Sequence, residues 1–364
     1  MGRTSTPLVS VLVTARDNER HVTQALRSAV RQTLGSLELH VADDGSSDST
    51  PALAESVGDE RIRLTRHDTS AGISVRRNEL LEQARGRYIA PLDADDVWFH
   101  DRLERHVRLL EARPDLVAVG SDVLVVDAGV GVGSYFRLPR SDAAVRWACL
   151  FTSPLIHSAA TIRASAFHDG VRYDPSFPLA QDYDLWTKLL RHGRAENLTI
   201  PLTLYRVHPT QASQRRAGER RAEQETIGRR AIEEAAASSG MTGEQCRLAW
   251  CLGADADVPD VDLEQAIDAY RGLLAHFEAA HPGGLGLRET RRLAATTLLR
   301  RAGGAVDSSA WSLRRAALAI DATVALSGAA IRVSNLAAAR RYRRPAVRLL
   351  EGLARGGKSR RAYA

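Results

Sequence analysis

Cysteine is scarce in this chain of 364 residues, which contains only Cys149, Cys246 and Cys251. Their spacing does not match the closely spaced pairs of a structural zinc site, and three thiols do not build a disulfide framework. Reduced cysteines are the usual state in the cytosol, where disulfides rarely persist. The sequence therefore predicts a cytosolic protein held together by an apolar core, for which the chain is long enough.

Long apolar runs and a secretory leader are also missing. No segment reaches the roughly 20 consecutive apolar residues that a membrane-spanning helix needs. Residues 316–331 come closest, and Asp321 interrupts them. Residues 1–7 are short and polar, and a strand pattern follows at once, which is not typical of a signal peptide. These absences predict a cytoplasmic location.

Positive charge is in modest excess, and much of it lies near the C-terminus. The chain has 50 Lys and Arg residues against 44 Asp and Glu, a formal charge of +6. From residue 340 onward Glu351 is the single acid, among Arg340, Arg341, Arg343, Arg344, Arg348, Arg355, Lys358, Arg360 and Arg361. With the apolar residues 316–331, this basic end favours peripheral contact with the inner face of the cell membrane. The alternative is a soluble helical bundle with a solvated tail, and no nucleic-acid partner is expected.

Strand-like and helix-like segments alternate over the first part of the chain. Short apolar runs predict strands at residues 10–13, 37–42, 62–64, 88–92, 117–120 and 201–207. Helical spacing predicts helices at residues 19–32, 74–84 and 182–191, with Thr50 and Asp101 as the N-caps of two more. This alternation predicts an α/β fold, with a mostly parallel sheet and helices on both of its faces.

The composition changes after residue 214 and becomes rich in Ala, Arg and Leu, with helical spacing. We therefore predict two domains, residues 1–213 and residues 214–364, of which the second is all-helical and ends in the basic tail. Gly129, Gly131 and Gly133 do not form the GxGxxG pattern, and no helix pattern follows them closely. They predict a loop or hairpin and exclude a dinucleotide-binding fingerprint.

Two acidic clusters follow predicted strands. Residues 43–48 (DDGSSD) follow the strand at 37–42, and residues 93–96 (DADD) follow the strand at 88–92. Ligands of open α/β sheets bind beyond the carboxyl ends of the strands. Carboxylates repel one another unless a cation lies between them, so the pattern predicts a site for a divalent metal and a nucleotide. Arg76-Arg77-Asn78 lies between the clusters, where a cation could contact a diphosphate or a base.

Each of these segments is weak evidence alone. Asp93 and Asp95 are alternate residues, so on an extended segment their carboxylates share one face. Hard oxygen ligands suit Mg²⁺ or Mn²⁺, which take one or two carboxylates with phosphate oxygens and water. Taken singly, residues 93–96 could be an acidic turn and residues 43–46 an ordinary Asx turn. The hypothesis of a metal–nucleotide site rests on the segments occurring together.

Residues 8–214 resemble a family 2 glycosyltransferase with the GT-A fold. Six stretches carry the resemblance in the expected order: 9–13 (VSVLV), 43–50 (DDGSSDST), 72–78 (GISVRRN), 86–96 (GRYIAPLDADD), 181–186 (QDYDLW) and 204–208 (LYRVH). Each is weak alone, and six in order are specific. The chain departs from the family at Arg16-Asp17, where Tyr-Asn is usual, and at Gln181, where Glu is usual.

The resemblance implies roles for eight residues. Asp182 would be the general base for the acceptor hydroxyl, and Asp95 would hold the Mg²⁺ or Mn²⁺ ion that bridges the diphosphate. The nucleotide-sugar would be bound by Thr14, Asp43, Asp44, Arg77, Asp93 and His208. Asp184 is the alternative carboxylate near the base, and we expect it to cap or anchor its helix.

The implied activity is inverting, metal-dependent transfer of a sugar from a UDP- or dTDP-linked donor to a hydroxyl acceptor. The acceptor would be a lipid-linked glycan, a growing polysaccharide or a small molecule, in bacterial polysaccharide, cell-envelope glycan or glycoconjugate biosynthesis. One alternative is a nucleotidyltransferase acting on a sugar phosphate, although residues 14–18 after the first strand lack the glycine of such enzymes. Another is a non-catalytic scaffold that binds nucleotide-sugars, against which the intact Asp95 and Asp182 argue.

A few other side chains allow two interpretations. Trp147 and Phe151 could border an acceptor pocket or belong to a core. Trp98 could pack under the metal-binding loop, with ordinary core packing as the default. His157 lies in a segment that borders the acceptor side in the resembled family.

Overall fold

The computed structural model describes residues 6–127, 131–168, 170–209, 211–258, 262–282, 284–304, 308–323 and 327–354. The chain divides into two compact units, and each is discontinuous in sequence. The first comprises residues 1–138, 155–215 and 335–364, and the second comprises residues 139–154 and 216–334. The sequence-based domains, residues 1–213 and 214–364, are a simpler division and stay a prediction.

The first unit is built on one sheet. In the part of the chain that the structure describes, its nine strands are β1 (Val9–Ala15), β2 (Leu37–Asp44), β3 (Ile62–His67), β4 (Tyr88–Asp93), β5 (Val97–Trp98), β6 (Leu116–Asp127), β7 (Gly131–Phe136), β8 (Thr161–Arg163) and β9 (Arg194–Val207). The strand order is β3-β2-β1-β4-β8-β6-β9-β5, with β7 paired to β6. Strands β1 to β4 pair in parallel, as the alternation of elements predicts.

The helices of the first unit are α1 (Val22–Val30), α2 (Thr50–Glu55), α3 (Ile73–Gln83), α4 (Arg102–Ala112), α6 (Gln181–Leu189) and α7 (Ala212–Arg215). Asp101 is the N-cap of α4, as predicted. The prediction for Thr50 is wrong, because Ser49 is the N-cap of α2 and Thr50 is its first helical residue. Pro51, without a backbone N–H, lies in the first turn, where no intrahelical donor is required.

The parallel strands are buried because apolar side chains cover both of their faces. The core of this region contains Val11 and Val13 of β1, Leu39 of β2, Ala90 of β4 and Leu26 of α1, none of which is exposed. The other half of the sheet is mixed, since β8 runs antiparallel to both β4 and β6. Strands β6 and β9 extend well beyond the predicted residues because they pair with each other along most of their length. The α/β class is confirmed.

The glycine-rich segment forms the predicted hairpin. Strands β6 and β7 pair antiparallel, with Asp127 opposite Gly131. Gly131 has φ of 77°, a conformation that residues with a Cβ rarely adopt. Gly129, which belongs to the same prediction, lies outside the described residues.

The second unit is helical. It contains α5 (Asp142–Cys149), α8 (Ala217–Ala235), α9 (Gly243–Gly253), α10 (Leu263–Ala280), α11 (Gly284–Gly304) and α12 (Ser308–Ile320). Trp147 of α5 packs edge-on against Tyr270 and Phe277 of α10, with ring centroids 5.4 Å apart in both pairs. Trp147 and Phe151 are thus core residues of this unit, which settles the two interpretations in favour of packing.

The last helix, α13 (Ser327–Ala354), contributes its residues from 335 onward to the first unit. Among the described residues, no helix is long and apolar enough to cross a membrane. Residues 324–326 of the apolar stretch at 316–331, on which the membrane prediction partly rests, lie outside the described residues.

Candidate active site

The carboxyl ends of three neighbouring strands bring most of the predicted site residues together. In the strand register, Asp43 of β2 lies beside Ala15 of β1, and Asp93 of β4 lies beside Thr14 of β1. Because parallel strands end at the same edge, the two acidic clusters meet there although about 50 residues separate them in the chain. The predicted convergence is therefore present in the fold.

Asp43 is almost fully buried and closes the turn that follows β2. Its carboxylate accepts hydrogen bonds from the Ser46 backbone N–H, at 3.2 Å, and from the Ser46 hydroxyl. Gly45 has φ of +71°, and a Cβ there would lie 3.0 Å from the backbone of Ser70. The segment is thus a turn closed by the Asp43 carboxylate and the N–H three residues on, which holds Asp43 at the strand end.

Asp44 contacts the loop before α3, whereas Asp43 contacts its own turn. Its two oxygens accept hydrogen bonds from the Ser70 hydroxyl (2.6 Å), the Ala71 and Gly72 backbone N–H groups (2.8 and 3.1 Å) and Arg76 Nε (2.8 Å). Burial acts to raise the pKa of Asp44, but these donors outweigh it and lower the pKa. Asp44 therefore fixes the loop before α3, and direct contact with a nucleotide stays a prediction.

Arg77, the next residue of α3, faces Asp93 instead of Asp44. Its Nη2 donates to Asp93 Oδ1 at 2.7 Å, and its guanidinium lies 5.4 Å from the centre of the Tyr173 ring. His157 Nδ1 lies 3.5 Å from the same Asp93 oxygen, and His157 Nε2 lies 2.8 Å from the Tyr173 hydroxyl. Asn78 completes the cluster by exchanging two hydrogen bonds with the Tyr173 backbone.

The electrostatics of this cluster favour an ionised Asp93. Burial would raise the pKa of Asp93, but the charge of Arg77 and the contact with His157 lower it to about 2. Two buried polar atoms beside it, Arg77 Nη1 and Thr14 Oγ1, have no hydrogen-bond partner among the described residues. Unpaired buried donors are costly, so both atoms are suited to meet polar groups of a ligand.

Asp95 lies among residues of the closing segment after β9. Its Oδ2 is 3.1 Å from His208 Nε2 and 3.0 Å from Gln211 Nε2. The Asp95 backbone oxygen accepts a 2.6 Å hydrogen bond from Arg206 Nη1. The ring of His21, at the start of α1, lies 5.3 Å from that of His208. Two of the predicted site residues, Asp95 and His208, are thus in contact.

Asp96 is the carboxylate that the sequence did not single out. It is fully buried, and its oxygens accept hydrogen bonds from the Arg206 backbone N–H, at 2.9 Å, and from the Ser158 hydroxyl. Burial, together with the charges of Asp95 and Asp93, raises the pKa of Asp96 well above its usual value. The nearby Trp98 donates from Nε1 to the Ser158 backbone oxygen at 2.7 Å, so it is a core residue beneath the acidic loop.

Asp182 and Asp184 lie in the first turn of α6 with different surroundings. Asp184 is fully buried, and its Oδ2 is 2.6 Å from Lys188 Nζ one turn later, which matches its expected anchoring role. Asp182 is only partly buried. Its charge acts on Tyr173 and His157, so it lies near the Asp93 cluster.

Tyr205 of β9 lies within electrostatic range of four acidic residues. Burial raises its pKa, and the charges of Asp96, Asp93, Asp95 and Asp182 raise the pKa further. Four carboxylates from two separate segments, residues 93–96 and the start of α6, therefore lie near one phenol. Sequence reasoning missed Tyr173, because an isolated aromatic residue carries no local motif. It placed His157 in a segment on the acceptor side and included Tyr205 in the stretch 204–208, without giving either residue a role.

The side chains around Asp95 fit a divalent cation of the Mg²⁺ or Mn²⁺ type. Such ions take one or two carboxylates and fill the remaining positions with water and substrate phosphates. Asp95 offers the carboxylate, and His208 Nε2 lies beside it. No group of three or more His, Cys, Asp or Glu residues within the described ranges forms a complete cage. The donor set thus suits an ion that arrives with phosphate ligands.

Comparison with known proteins places this site in a family. The model of glycosyl transferase family 2 matches residues 10–169. The EpsE protein of Bacillus subtilis, whose glycosyltransferase name is provisional, is 32% identical over 202 residues, covering 53% of this chain and 71% of that one. WfaP of Escherichia coli is 27% identical over 206 residues, covering 55% and 78%. Its name describes a β-1,3-glucosyltransferase that uses UDP-Glc and a GlcNAc-diphosphoundecaprenol acceptor.

Solved structures show the same fold. The first 349 residues of TarS from S. aureus, solved in complex with UDP, superpose with a TM-score of 0.52 at 18% identity, covering 88% of this chain and 90% of that one. The complex of the same protein with UDP-GlcNAc gives a TM-score of 0.53 at 15% identity. The predicted GT-A architecture with a helical C-terminal region is confirmed. The family model and the sequence relatives establish that the chain is a glycosyltransferase and belongs to glycosyl transferase family 2.

Proposed function

We propose that this enzyme transfers a sugar from a UDP- or dTDP-linked donor to a hydroxyl acceptor, with inversion at the anomeric carbon and with help from Mg²⁺ or Mn²⁺. The observation that carries the proposal is the edge where β1, β2 and β4 end: Asp93 pairs with Arg77 there at 2.7 Å, and Asp95 contacts His208 at 3.1 Å. Asp182 lies close enough for its charge to act on His157, which contacts Asp93. One carboxylate is then available for each of three tasks: sugar contact, metal binding and proton transfer.

The nucleoside end of the donor would lie along the ends of β1 and β2. Thr14 Oγ1 has no partner among the described residues, and Asp43 is fixed beside it by its own turn. A hydroxyl and a carboxylate at this position can accept the N–H and O–H donors of a pyrimidine and a ribose. Asp44 supports the opposite wall by holding the loop before α3.

The diphosphate would lie between Arg77 and Asp95. Arg77 holds Asp93 through Nη2 and keeps Nη1 without a partner among the described residues. Asp95 and His208 would hold the cation, which when bound stabilises the negative charge that develops on the departing nucleoside diphosphate. Arg206 and Gln211 keep the Asp95 segment in place through its backbone oxygen and its carboxylate.

Asp182 would act as the general base. A sugar hydroxyl is a weak nucleophile at neutral pH, and a carboxylate within hydrogen-bond reach takes its proton as the attack proceeds. Asp182 is partly exposed at the start of α6, whereas the neighbouring Asp184 is fully buried and engaged with Lys188. With one base for the acceptor, a single displacement inverts the anomeric centre.

The biological setting belongs to the same proposal. WfaP, by its name, uses an acceptor linked to diphosphoundecaprenol, and TuaG of Bacillus subtilis is named for teichuronic acid biosynthesis. These relatives support a lipid-linked glycan or growing polysaccharide as the acceptor in cell-envelope glycan assembly. Such an acceptor would be met from the cytoplasm, at the inner face of the cell membrane.

A donor-binding screen tests the proposal. Purified full-length protein is titrated with UDP-, dTDP- and GDP-sugars in the presence of Mn²⁺ or Mg²⁺, and binding is measured by calorimetry. We expect one donor to bind only with metal, and Asp95→Ala to abolish that binding. Asp115→Ala is the matched control, because Asp115 is a surface carboxylate paired with Arg113. Absence of binding for every nucleotide by folded protein would contradict the proposal.

A further inference from the structure

The outer face of α13 carries an unusual concentration of positive charge. Arg340, Arg341, Arg343, Arg344 and Arg348, which we call the arginine face, are all exposed. They occupy nine residues of helix, a length of about 13 Å. Glu351 is the single acidic residue between Ser327 and Ala354.

The opposite face of the helix is fixed to the sheet of the first unit. Ala339, Ala346, Leu349 and Leu353 are buried, and their spacings of seven, three and four residues place them on one side of the helix. They pack in one cluster with apolar residues of β5, β6, β7 and β9. The helix cannot rotate about its axis without exposing this side, so the arginines are held outward.

The C-terminal end of the helix is held as well. Arg27 Nη1 of α1 donates to the Leu353 backbone oxygen at 2.8 Å, and Arg31 Nη1 donates to the Gly352 oxygen at 3.3 Å. Carbonyl groups in the last turn have no partner within a helix, and arginine side chains satisfy them well. The arginine face is therefore a rigid surface of the same unit that carries the active site.

Several arginines on other helices of this protein pair with nearby carboxylates. Arg108 pairs with Glu104 at 2.9 Å, Arg247 with Glu244 at 2.6 Å and Arg291 with Glu278 at 2.6 Å. Among the described residues, no member of the arginine face makes such an ion pair. The charge of these five guanidinium groups thus remains available to an external anion.

We propose that the arginine face binds the anionic phospholipid surface of a membrane. The helix contacts its own domain through one side and presents the arginines on the other, where they can meet the phosphates of a lipid surface. Guanidinium groups pair with phosphate oxygens in a bidentate manner. Val347, 40% exposed between Arg344 and Arg348, adds an apolar contact for the lipid interface.

A nucleic acid is the other polyanion that such a face could meet. Proteins that bind single strands add aromatic platforms on which bases stack, and those that bind duplexes insert an element into a groove. Tyr342, the aromatic residue of this segment, is half-buried, and its ring stacks on Tyr135 at 6.1 Å. It is engaged with the sheet, so the features of the face favour lipid.

The inference extends the proposed function, since contact with the membrane would bring the active site to an acceptor linked to lipid. Its test needs no donor, metal or acceptor, so its failure is distinct from failure of the proposed chemistry. Full-length protein is sedimented with vesicles of phosphatidylcholine alone and with vesicles of equal parts phosphatidylcholine and phosphatidylglycerol. We expect binding to the anionic vesicles only, weakened by added salt because exposed charges are screened.

The decisive variant replaces Arg340, Arg344 and Arg348 with Gln. Each basic residue near an anionic surface contributes to the free energy of membrane binding. Loss of three such residues should make the triple variant bind the anionic vesicles roughly 100-fold more weakly than wild type. The matched control replaces Arg108, Arg247 and Arg291 with Gln, which removes the same charge from paired positions, and it should bind within about 2-fold of wild type. Circular dichroism melting verifies that both variants are folded.

Three results would overturn the proposal. The first is wild-type protein that does not bind the anionic vesicles. The second is equal weakening of binding in both triple variants, which would indicate net charge instead of this face. The third is tighter binding to a DNA duplex than to the vesicles, lost in the same face variant, which would assign the face to nucleic acid.

Discussion

The two units of this chain bury different kinds of side chain. The first unit encloses charged groups, among them Asp44, Arg76, Asp96 and Arg102. In the second unit, Thr290 is the one buried side chain of the polar or charged classes among the described residues, and its hydroxyl donates to the Gly286 backbone oxygen at 2.9 Å. The remainder of that core is aliphatic and aromatic.

The difference in buried charge follows from the location of the candidate active site in the first unit. Burying a charge costs free energy unless partners compensate for it, so charged interiors persist where chemistry requires them. In the first unit the partners are present at the site: Arg77 pairs with Asp93, and the Arg206 backbone N–H and the Ser158 hydroxyl donate hydrogen bonds to Asp96. The helical unit has no such requirement and gains its stability from apolar packing.

The largest effect should come from Asp182→Asn. We expect kcat for nucleoside diphosphate release to fall about 100- to 10,000-fold, because the amide cannot accept the acceptor's proton, while donor binding is retained. Asp184→Asn is the contrasting variant: it should chiefly lower the melting temperature, since Asp184 is fully buried against Lys188. Unchanged turnover in Asp182→Asn would remove it as the base.

Trp147→Ala should have the next largest effect, on the second unit. Trp147 is 1% exposed, and truncation of a buried Trp costs about 3–5 kcal/mol of unfolding free energy. Trp311→Ala makes the same chemical change at a side chain that is 63% exposed, and it should alter stability by less than about 0.5 kcal/mol. Urea unfolding measures both, and similar losses would show that the aromatic core is not what stabilises this unit.

Glu38→Gln tests the charged interior of the first unit away from the active site. Glu38 accepts hydrogen bonds from the Ser10 hydroxyl at 2.7 Å and from Arg85 Nη2 at 2.7 Å. Burial acts to raise its pKa, but Arg85 and Ser10 lower the pKa from 4.5 to about 2. Near pH 7 the variant should lose about 1–3 kcal/mol of unfolding free energy.

The lowered pKa of Glu38 determines how its contribution to the free energy of unfolding changes with pH. A carboxyl whose pKa is lowered on folding stabilises the fold above its unfolded pKa and loses that contribution as the pH falls through its folded pKa. Wild-type stability should therefore decline between pH 4.5 and about 2, and the variant should lack this part of the decline. Parallel acid-unfolding curves for the two proteins would contradict the assignment.

The smallest effect is expected for Arg291→Gln. Arg291 and Glu278 join α11 and α10 through nitrogen–oxygen distances of 2.6 and 2.9 Å. Exposed pairs of this kind contribute at most about 1 kcal/mol, because water and salt screen them. A loss well above that figure by urea unfolding would mean that surface charge carries part of the stability here assigned to the apolar core.

The elements at the active edge could be predicted from the sequence because their signals are local. Apolar runs located β1, β2 and β4, and the acids that follow them must lie at the carboxyl edge of a parallel sheet. The same reasoning located the hairpin near Gly131 and the N-cap Asp101. Such features depend on a few adjacent residues.

Long-range partners could not be predicted in this way. Asp96 meets the Arg206 backbone 110 residues later, and His157 meets Asp93 from a short turn without a motif. Whether Asp44 contacts a nucleotide or a loop depends on the path of residues 69–76, which no periodicity reports. Helical spacing after residue 214 likewise indicated the region that contains α13, without indicating the core on which this helix packs, and it did not predict α5.

The position of α5 has a consequence for how this protein could be rebuilt by recombination. Residues 139–154 belong to the helical unit, yet they lie inside the segment that matches the family model, residues 10–169. A chimera joined at one crossover near residue 214 would separate Trp147 and Phe151 from the aromatic partners they evolved with. Exchange of the helical unit as a whole requires four junctions, at residues 138/139, 154/155, 215/216 and 334/335.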